Sequence, residues 1–214
     1  MNDENVNDVL SATKVVAIIR GMAPEVCVKL AGAYQEGGIR LVEVTFDQSG
    51  DPQATVTAIR AIRDAYPNMH VGAGTVITGT QLDLAIGAGA EFIVTPNCNP
   101  KIIRKANAAG LVTMPGTITP TEMVTAHEAG ADYVKVFPVR VLGPAYIKDV
   151  LAPLKHLKLI AVGGVSPDNA ADYIKAGCVG IAASGSLVNK DWIAAGEYDK
   201  IAAVARQLIS NCKI

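Results

Sequence analysis

Apolar residues along this chain come in short blocks separated by stretches of helical spacing, and one phrase recurs. A helical stretch ends in Ala-Gly or Gly-Gly, and a short apolar run follows at once. It reads EGGIRLVEVT at 36–45, GAGAEFIVTP at 87–96, AAGLVTMPG at 108–116, EAGADYVKVFP at 128–138 and KAGCVGIAASG at 175–185. Glycine just past a helix stops it, because glycine accepts the left-handed conformation without steric cost. The runs that follow are rich in Val, Ile and aromatic residues, as buried strands are. Three further runs fit the same role: KVVAIIR (14–20), HVGAGTV (70–76) and LKLIAVGG (157–164). Eight strands result, centred near residues 17, 43, 72, 93, 113, 135, 160 and 181. Each interval holds a turn, a short helix and a second turn.

The intervening segments 24–37, 52–66, 80–89, 100–110, 119–130 and 166–177 read as helices. Four of them open on a capping residue followed by proline: Asp51-Pro52, Asn99-Pro100, Thr119-Pro120 and Ser166-Pro167. The cap satisfies free N–H groups, and proline suits the first turn. Thr119 and Glu122 have the spacing of a capping box. Strands alternating with helices predict an α/β fold, a closed (β/α)8 TIM barrel forming one domain over residues 1–214. The first dozen residues are expected to form a helix below the barrel, and a helix at about 197–212 to close the ring. An open doubly wound sheet is the rival, but no G-x-G-x-x-G opens a helix after the first strand.

Composition changes this picture little. Half the residues are hydrophobic, 18% are charged and the net charge is −1. That argues against a broad basic face for nucleic acid. Cys27, Cys98, Cys178 and Cys212 form no C-x-x-C pair, and no Cys/His cluster has metal-ligand spacing, so reduced thiols and no metal are expected. His70, His127 and His156 are scattered and read as structural or surface residues. The polar, acidic start MNDENVNDVLSATK has no signal-peptide character, and no apolar run is long enough to span a membrane. A cytoplasmic location is expected.

Barrel active sites lie at the C-terminal ends of the strands, and two strands carry a reactive residue there. In the sixth, Tyr133, Lys135 and Phe137 share one face while Val134 and Val136 share the other. The valines suit the outer helices, so Lys135 points inward. Burial lowers a lysine pKa and makes it a nucleophile toward carbonyls; the bland reading is a lysine snorkelling from a strand end. In the second strand the same parity turns Glu43 and Thr45 inward, with a salt bridge to Lys135 as the bland reading. An acid and an amine at one mouth form a candidate catalytic pair. Arg20 ends the first strand, where it would hold a carboxylate or phosphate or make a surface salt bridge. Gly72-Ala73-Gly74-Thr75 lets a ligand approach the backbone, and Thr75 adds a hydroxyl; the fourth strand ends Thr95-Pro96-Asn97. The seventh strand runs into Gly163-Gly164-Val165-Ser166, and the eighth into Ser184-Gly185-Ser186. Backbone N–H groups at such turns bind phosphate, and the loops after strands seven and eight are this fold's usual phosphate grip.

VVAIIRG (15–21), EGGIRLVEVTF (36–46), VGAGTV (71–76), AGAEFIVTP (88–96), MPGTITPTE (114–122), VKVFP (134–138) and VGGVSPDN (162–169) together resemble the 2-keto-3-deoxy-6-phosphogluconate (KDPG) and 4-hydroxy-2-oxoglutarate (KHG) aldolases. The resemblance covers nearly the whole chain. It implies a trimeric class I aldolase without metal or other cofactor, acting on a small 2-keto acid. By resemblance Lys135 forms a Schiff base with the substrate ketone, Glu43 shuttles protons, and Thr75, Pro96 and Phe137 line the substrate. Gly163, Gly164 and the turn of Ser184, Gly185 and Ser186 meet the phosphate. The expected reaction, as the resemblance implies, cleaves 2-keto-3-deoxy-6-phosphogluconate to pyruvate and glyceraldehyde 3-phosphate, with 4-hydroxy-2-oxoglutarate or another 2-keto-3-deoxy acid as the alternative substrate. Two positions depart from the family pattern. Many members carry arginine four residues after the glutamate, where it holds the substrate carboxylate; here Asp47 stands there, an acid that would repel a carboxylate, so either Arg20 takes over or the substrate differs. The eighth-strand turn of many members ends Gly-Ser before a variable residue, whereas this one reads Ser184-Gly185-Ser186. A phosphosugar epimerase or isomerase using the same pair for proton transfer, and a phospho-ligand sensor, are the alternatives.

Overall fold

Glycine placement sets the frame of the barrel. In the computed structural model, which describes residues 4–213, the glycines closing the five repeated phrases all have positive φ. These are Gly38, Gly89, Gly110, Gly130 and Gly177, with φ between 79° and 112°. Each stops a helix and returns the chain to the strand layer. Residues 1–3 of the expected N-terminal helix lie outside the described residues, as does residue 214.

The strands are β1 (Val15–Ile19), β2 (Leu41–Thr45), β3 (His70–Gly74), β4 (Phe92–Val94), β5 (Val112–Met114), β6 (Gly116–Thr117), β7 (Val134–Val136), β8 (Leu159–Val162) and β9 (Gly180–Ala183). All pair in parallel, in the order β5-β4-β3-β2-β1-β9-β8-β7-β6. Nine segments stand where eight strands are expected, because the fifth run is cut at Pro115. Proline has no N–H to give to a ladder. The ring still closes across the break: Tyr133, Lys135 and Phe137 donate their N–H groups to the carbonyls of Thr113, Pro115 and Thr117, at 3.1, 2.9 and 2.9 Å.

The helices are α1 (Val6–Thr13), α2 (Pro24–Glu36), α3 (Pro52–Ala65), α4 (Gly79–Ala88), α5 (Pro100–Ala108), α6 (Pro120–Glu128), α7 (Gly143–Leu151), α8 (Pro167–Lys175), α9 (Lys190–Ala195) and α10 (Tyr198–Cys212). The expected caps form. Asp51 accepts from the Gln53 N–H and Asn99 from the Lys101 N–H. Thr119 and Glu122 make the reciprocal box, with the Glu122 carboxylate accepting from the Ile118 and Thr119 N–H groups. α10 packs between α2 and α8 and completes the outer ring.

Two apolar cores follow from strand parity. The outer core holds Val42, Val44, Val134 and Val136 beneath the helices. The inner core holds Val16, Ile18, Leu41, Phe92, Tyr133 and Ile160 inside the barrel, and Val6, Val9 and Leu10 of α1 plug its N-terminal end. The Tyr133 hydroxyl donates to Asn7 Oδ1 at 2.9 Å, fastening α1 under the strands. No helix among the described residues is long and apolar enough to cross a membrane.

Candidate active site

β7 has two residues facing the helices and one facing the interior. The inward residue is Lys135, only 6% exposed. Its Nζ lies 4.6 Å from the centroid of the Phe137 ring, two residues on and on the same face. An ammonium over an aromatic face gains some electrostatic attraction, yet far less than hydration supplied. Burial therefore pulls the Lys135 pKa down; the Glu43 charge pulls it up and Arg20 pushes it down further. No ion pair to Lys135 occurs among the described residues, so the expected bland reading of a Lys135–Glu43 salt bridge does not hold.

Glu43 stands on β2 in register with Ile18 of β1 and Gly72 of β3. It is 1% exposed, and its Oε2 has no hydrogen-bond partner among the described residues. Burial raises its pKa, against the opposing pull of the Lys135 and Arg20 charges. Its carboxylate fits because Gly74 has no side chain: a Cβ there would lie 2.5 Å from Oε1. A carboxyl and an amine thus sit buried at one mouth, each pushed toward its neutral form and each feeling the other's charge. That is the condition for moving protons and for nucleophilic attack near neutral pH.

Beside Lys135 opens a cavity of about 550 Å³. Its wall includes Arg20, Lys135, Phe137, Gly163, Gly164, Ser184, Gly185 and Ser186, eight of the residues expected from the sequence. Gly163 and Gly164 have φ of 98° and 84°, a double left-handed turn that only glycine adopts without strain. A Cβ on Gly163 would press on the Phe137 ring at 3.2 Å. The turn leads into α8, whose entry is tied by Asn169: its Oδ1 accepts from the Ser166 N–H at 2.9 Å and its Nδ2 donates to the Gly164 carbonyl at 3.0 Å. Ser186 donates its hydroxyl to the Val165 carbonyl at 3.0 Å, which fastens the β9 turn to the β8 turn. Backbone N–H groups and a helix N-terminus at one end of the cavity suit an anion.

Three expected residues are not on that wall. Glu43 is buried against Gly74. Thr75 and Pro96 follow β3 and β4 at the same mouth without contributing to it. Thr75 has φ 54°, an uncommon conformation for a β-branched residue, and Gln48 Nε2 donates to its carbonyl at 3.0 Å. Asp47 does not line this cavity: its Oδ1 accepts from the Ser49 N–H and hydroxyl, both at 2.9 Å, and these bonds hold its carboxyl below the usual range.

Arg140 was absent from the sequence expectations, yet it lines the cavity from the turn after β7. A lone arginine in the short stretch between Pro138 and Gly143 gives no pattern to read. The histidines stay outside this cavity; His127 and His156 pack ring to ring at 4.7 Å on the surface. Among the described residues no group of three or more His, Cys, Asp or Glu side chains is placed to hold a metal ion. The four cysteines are free thiols.

Comparison with known proteins places this architecture. The family model for KDPG and KHG aldolase matches residues 6–204. The chain is 40% identical over 168 residues to the 2-dehydro-3-deoxy-6-phosphogalactonate aldolase of Escherichia coli strain K12, covering 78% of this chain and 80% of that protein. It is 34% identical over 204 residues to the 2-dehydro-3-deoxy-phosphogluconate aldolase of Treponema pallidum, covering 94% and 95%. A solved structure of native KDPGal aligns with a TM-score of 0.83 at 36% identity, covering 92% of this chain and 93% of that one. The chain belongs to the KDPG and KHG aldolase family, and it is an aldolase, a carbon–carbon lyase of the class I, KDPG/KDPGal type.

Proposed function

We propose that the chain cleaves a 2-keto-3-deoxy-6-phospho sugar acid to pyruvate and glyceraldehyde 3-phosphate through a Schiff base on Lys135. The observation that carries this reading is a buried, depressed-pKa amine on the wall of a cavity whose far end is built of backbone N–H groups. The neutral Lys135 amine attacks the C2 ketone. Loss of water leaves a protonated imine, which draws electrons from the neighbouring bond. Glu43, directly or through one water, takes the proton from the C4 hydroxyl. The C3–C4 bond breaks, the aldehyde leaves, and its bonding pair becomes an enamine. Protonation at C3 and hydrolysis by water release pyruvate and regenerate the amine.

Arg20 holds the substrate carboxylate in this scheme. Its presence on the same cavity wall as Lys135, and the action of its charge on both Lys135 and Glu43, support this role. Gly163, Gly164, Ser184, Gly185 and Ser186 receive the phosphate, and Thr75, Pro96 and Phe137 bound the substrate. The functional unit is a homotrimer, a reading that rests on the family resemblance and that analytical ultracentrifugation checks.

The sequence alone pointed to the gluconate acid as substrate. The E. coli relative at 40% identity is named for its galactonate counterpart, the T. pallidum relative at 34% for the gluconate. We take the galactonate form as the substrate on that difference. A coupled assay of pyruvate release from both epimers and from 4-hydroxy-2-oxoglutarate tests it. The highest kcat/KM is expected on the galactonate form. Preference for 4-hydroxy-2-oxoglutarate would overturn the phosphosugar reading.

A further inference from the structure

Three cationic side chains face the active cavity, Arg20, Lys135 and Arg140, and its wall carries no acidic side chain. The proposed reaction uses Lys135 and Arg20 and leaves Arg140 without a task. Arg140 sits in a single 3-10 turn, Val139–Val141, directly after the strand that carries Lys135. Its N–H donates to the Gly163 carbonyl at 3.1 Å. Its stem crosses Gly164 closely: a Cβ there would stand 2.7 Å from Arg140 Cβ and 3.1 Å from Cδ. The double-glycine turn and the arginine are therefore fitted to each other. No ion pair involves the Arg140 guanidinium among the described residues. The arginine is exposed at the rim, and the charges acting on Glu43 and Lys135 include Arg20 but not Arg140. Arg20 thus acts on the buried pair, while Arg140 stands against the Gly163–Gly164 turn.

We infer that Arg140 is a specificity-determining residue, whose guanidinium meets the phosphate dianion of the aldehyde half and makes the enzyme prefer phosphorylated over unphosphorylated substrates. This rests on the phosphosugar cleavage proposed above. A guanidinium can give two parallel N–H donors to a phosphate, which the neutral backbone groups of the turns cannot match in charge. The stem packed on Gly164 reduces the freedom lost on binding.

The test is condensation of pyruvate with glyceraldehyde 3-phosphate and with glyceraldehyde, measured for the wild type, Arg140→Ala, Arg140→Lys and Lys175→Ala. Lys175→Ala removes the same charge from the exposed end of α8. The ratio of kcat/KM for the phosphorylated over the plain aldehyde should fall by about 10- to 100-fold in Arg140→Ala, the range of a charge-assisted hydrogen bond. The loss should sit in KM rather than kcat, Arg140→Lys should recover part of it, and Lys175→Ala should keep the wild-type ratio. A ratio unchanged in Arg140→Ala, or lost equally in Lys175→Ala, would overturn the assignment while leaving the aldolase reading intact. A wild type that does not favour the phosphorylated aldehyde would overturn the phosphosugar reading and the role of Arg140 with it.

Discussion

The Glu43 carboxylate occupies the space that a side chain on Gly74 would need, with Oε1 2.5 Å and Cδ 2.9 Å from where that Cβ would stand. Gly74 lies at the end of β3, beside Glu43 on β2, and both are buried. Gly74→Ala should push the carboxylate off its position. Misplacing a catalytic group by about 1 Å can cost on the order of 100-fold in rate, and overpacking costs about 1–3 kcal/mol of stability. Steady-state kinetics and urea unfolding read the two effects separately. Full activity in this variant would remove Glu43 from the mechanism.

Lys135 pays for its reactivity in stability, since a buried amine has lost hydration and has no ion-pair partner among the described residues. Lys135→Met keeps the stem and deletes the charge. The variant should be inactive, with kcat/KM down on the order of 10⁴-fold or more. It should unfold at equal or higher urea concentration, by up to about 1–3 kcal/mol. A marked loss of stability would mean that the amine is structurally required.

Stability should depend on pH through the same two groups, with opposite signs. Glu43 has a raised pKa in the folded state, so its contribution is full below the unfolded value of about 4.3 and is lost as pH rises through the folded value. Lys135 has a lowered pKa, so its contribution is present above about 10.4 and is lost as pH falls through the folded value. Glu43→Gln should therefore flatten the decline in stability that the wild type shows as pH rises above about 4.3. Urea titrations across that range check it; parallel profiles for the two proteins would contradict the burial argument.

Arg20 and Asp47 should separate in their effect on the substrate carboxylate. Arg20→Ala is expected to raise KM for the keto acid by about 10- to 100-fold. Asp47→Asn should leave it within about threefold, because that side chain is spent on the Ser49 turn. A large KM change in Asp47→Asn would show that Asp47 turns toward the substrate.

Much of this was legible because barrel strands repeat a simple grammar. Val134 and Val136 flanking Lys135, and Val42 and Val44 flanking Glu43, reveal by parity which residues face inward, and the two cores confirm that alternation. Glycines after helices and Ser/Asp/Asn/Thr-Pro pairs before them fixed most element ends. The break at Pro115 was hidden because the run reads as one strand until the missing N–H is placed against its neighbours. α7 was not named because Leu142 makes no side-chain cap, and α9 because six residues are too few to show a period. Asp47 looked like a repulsive charge because spacing along a chain does not tell which way a loop residue turns; Ser49 decides that. The same limit hid Arg140, whose place beside Gly164 comes from the packing of two loops far apart in sequence.

The most direct measurement is borohydride reduction in the presence of pyruvate, followed by intact-mass and peptide mapping. A single reduced pyruvyl adduct on Lys135 is expected, absent without pyruvate and absent in Lys135→Met. Adduct formation should rise with pH to a plateau reached below the ordinary lysine pKa, since burial holds the Lys135 amine neutral earlier. No adduct on the folded wild-type protein, or an adduct at another lysine, would contradict the assignment of Lys135 as the bond-forming residue.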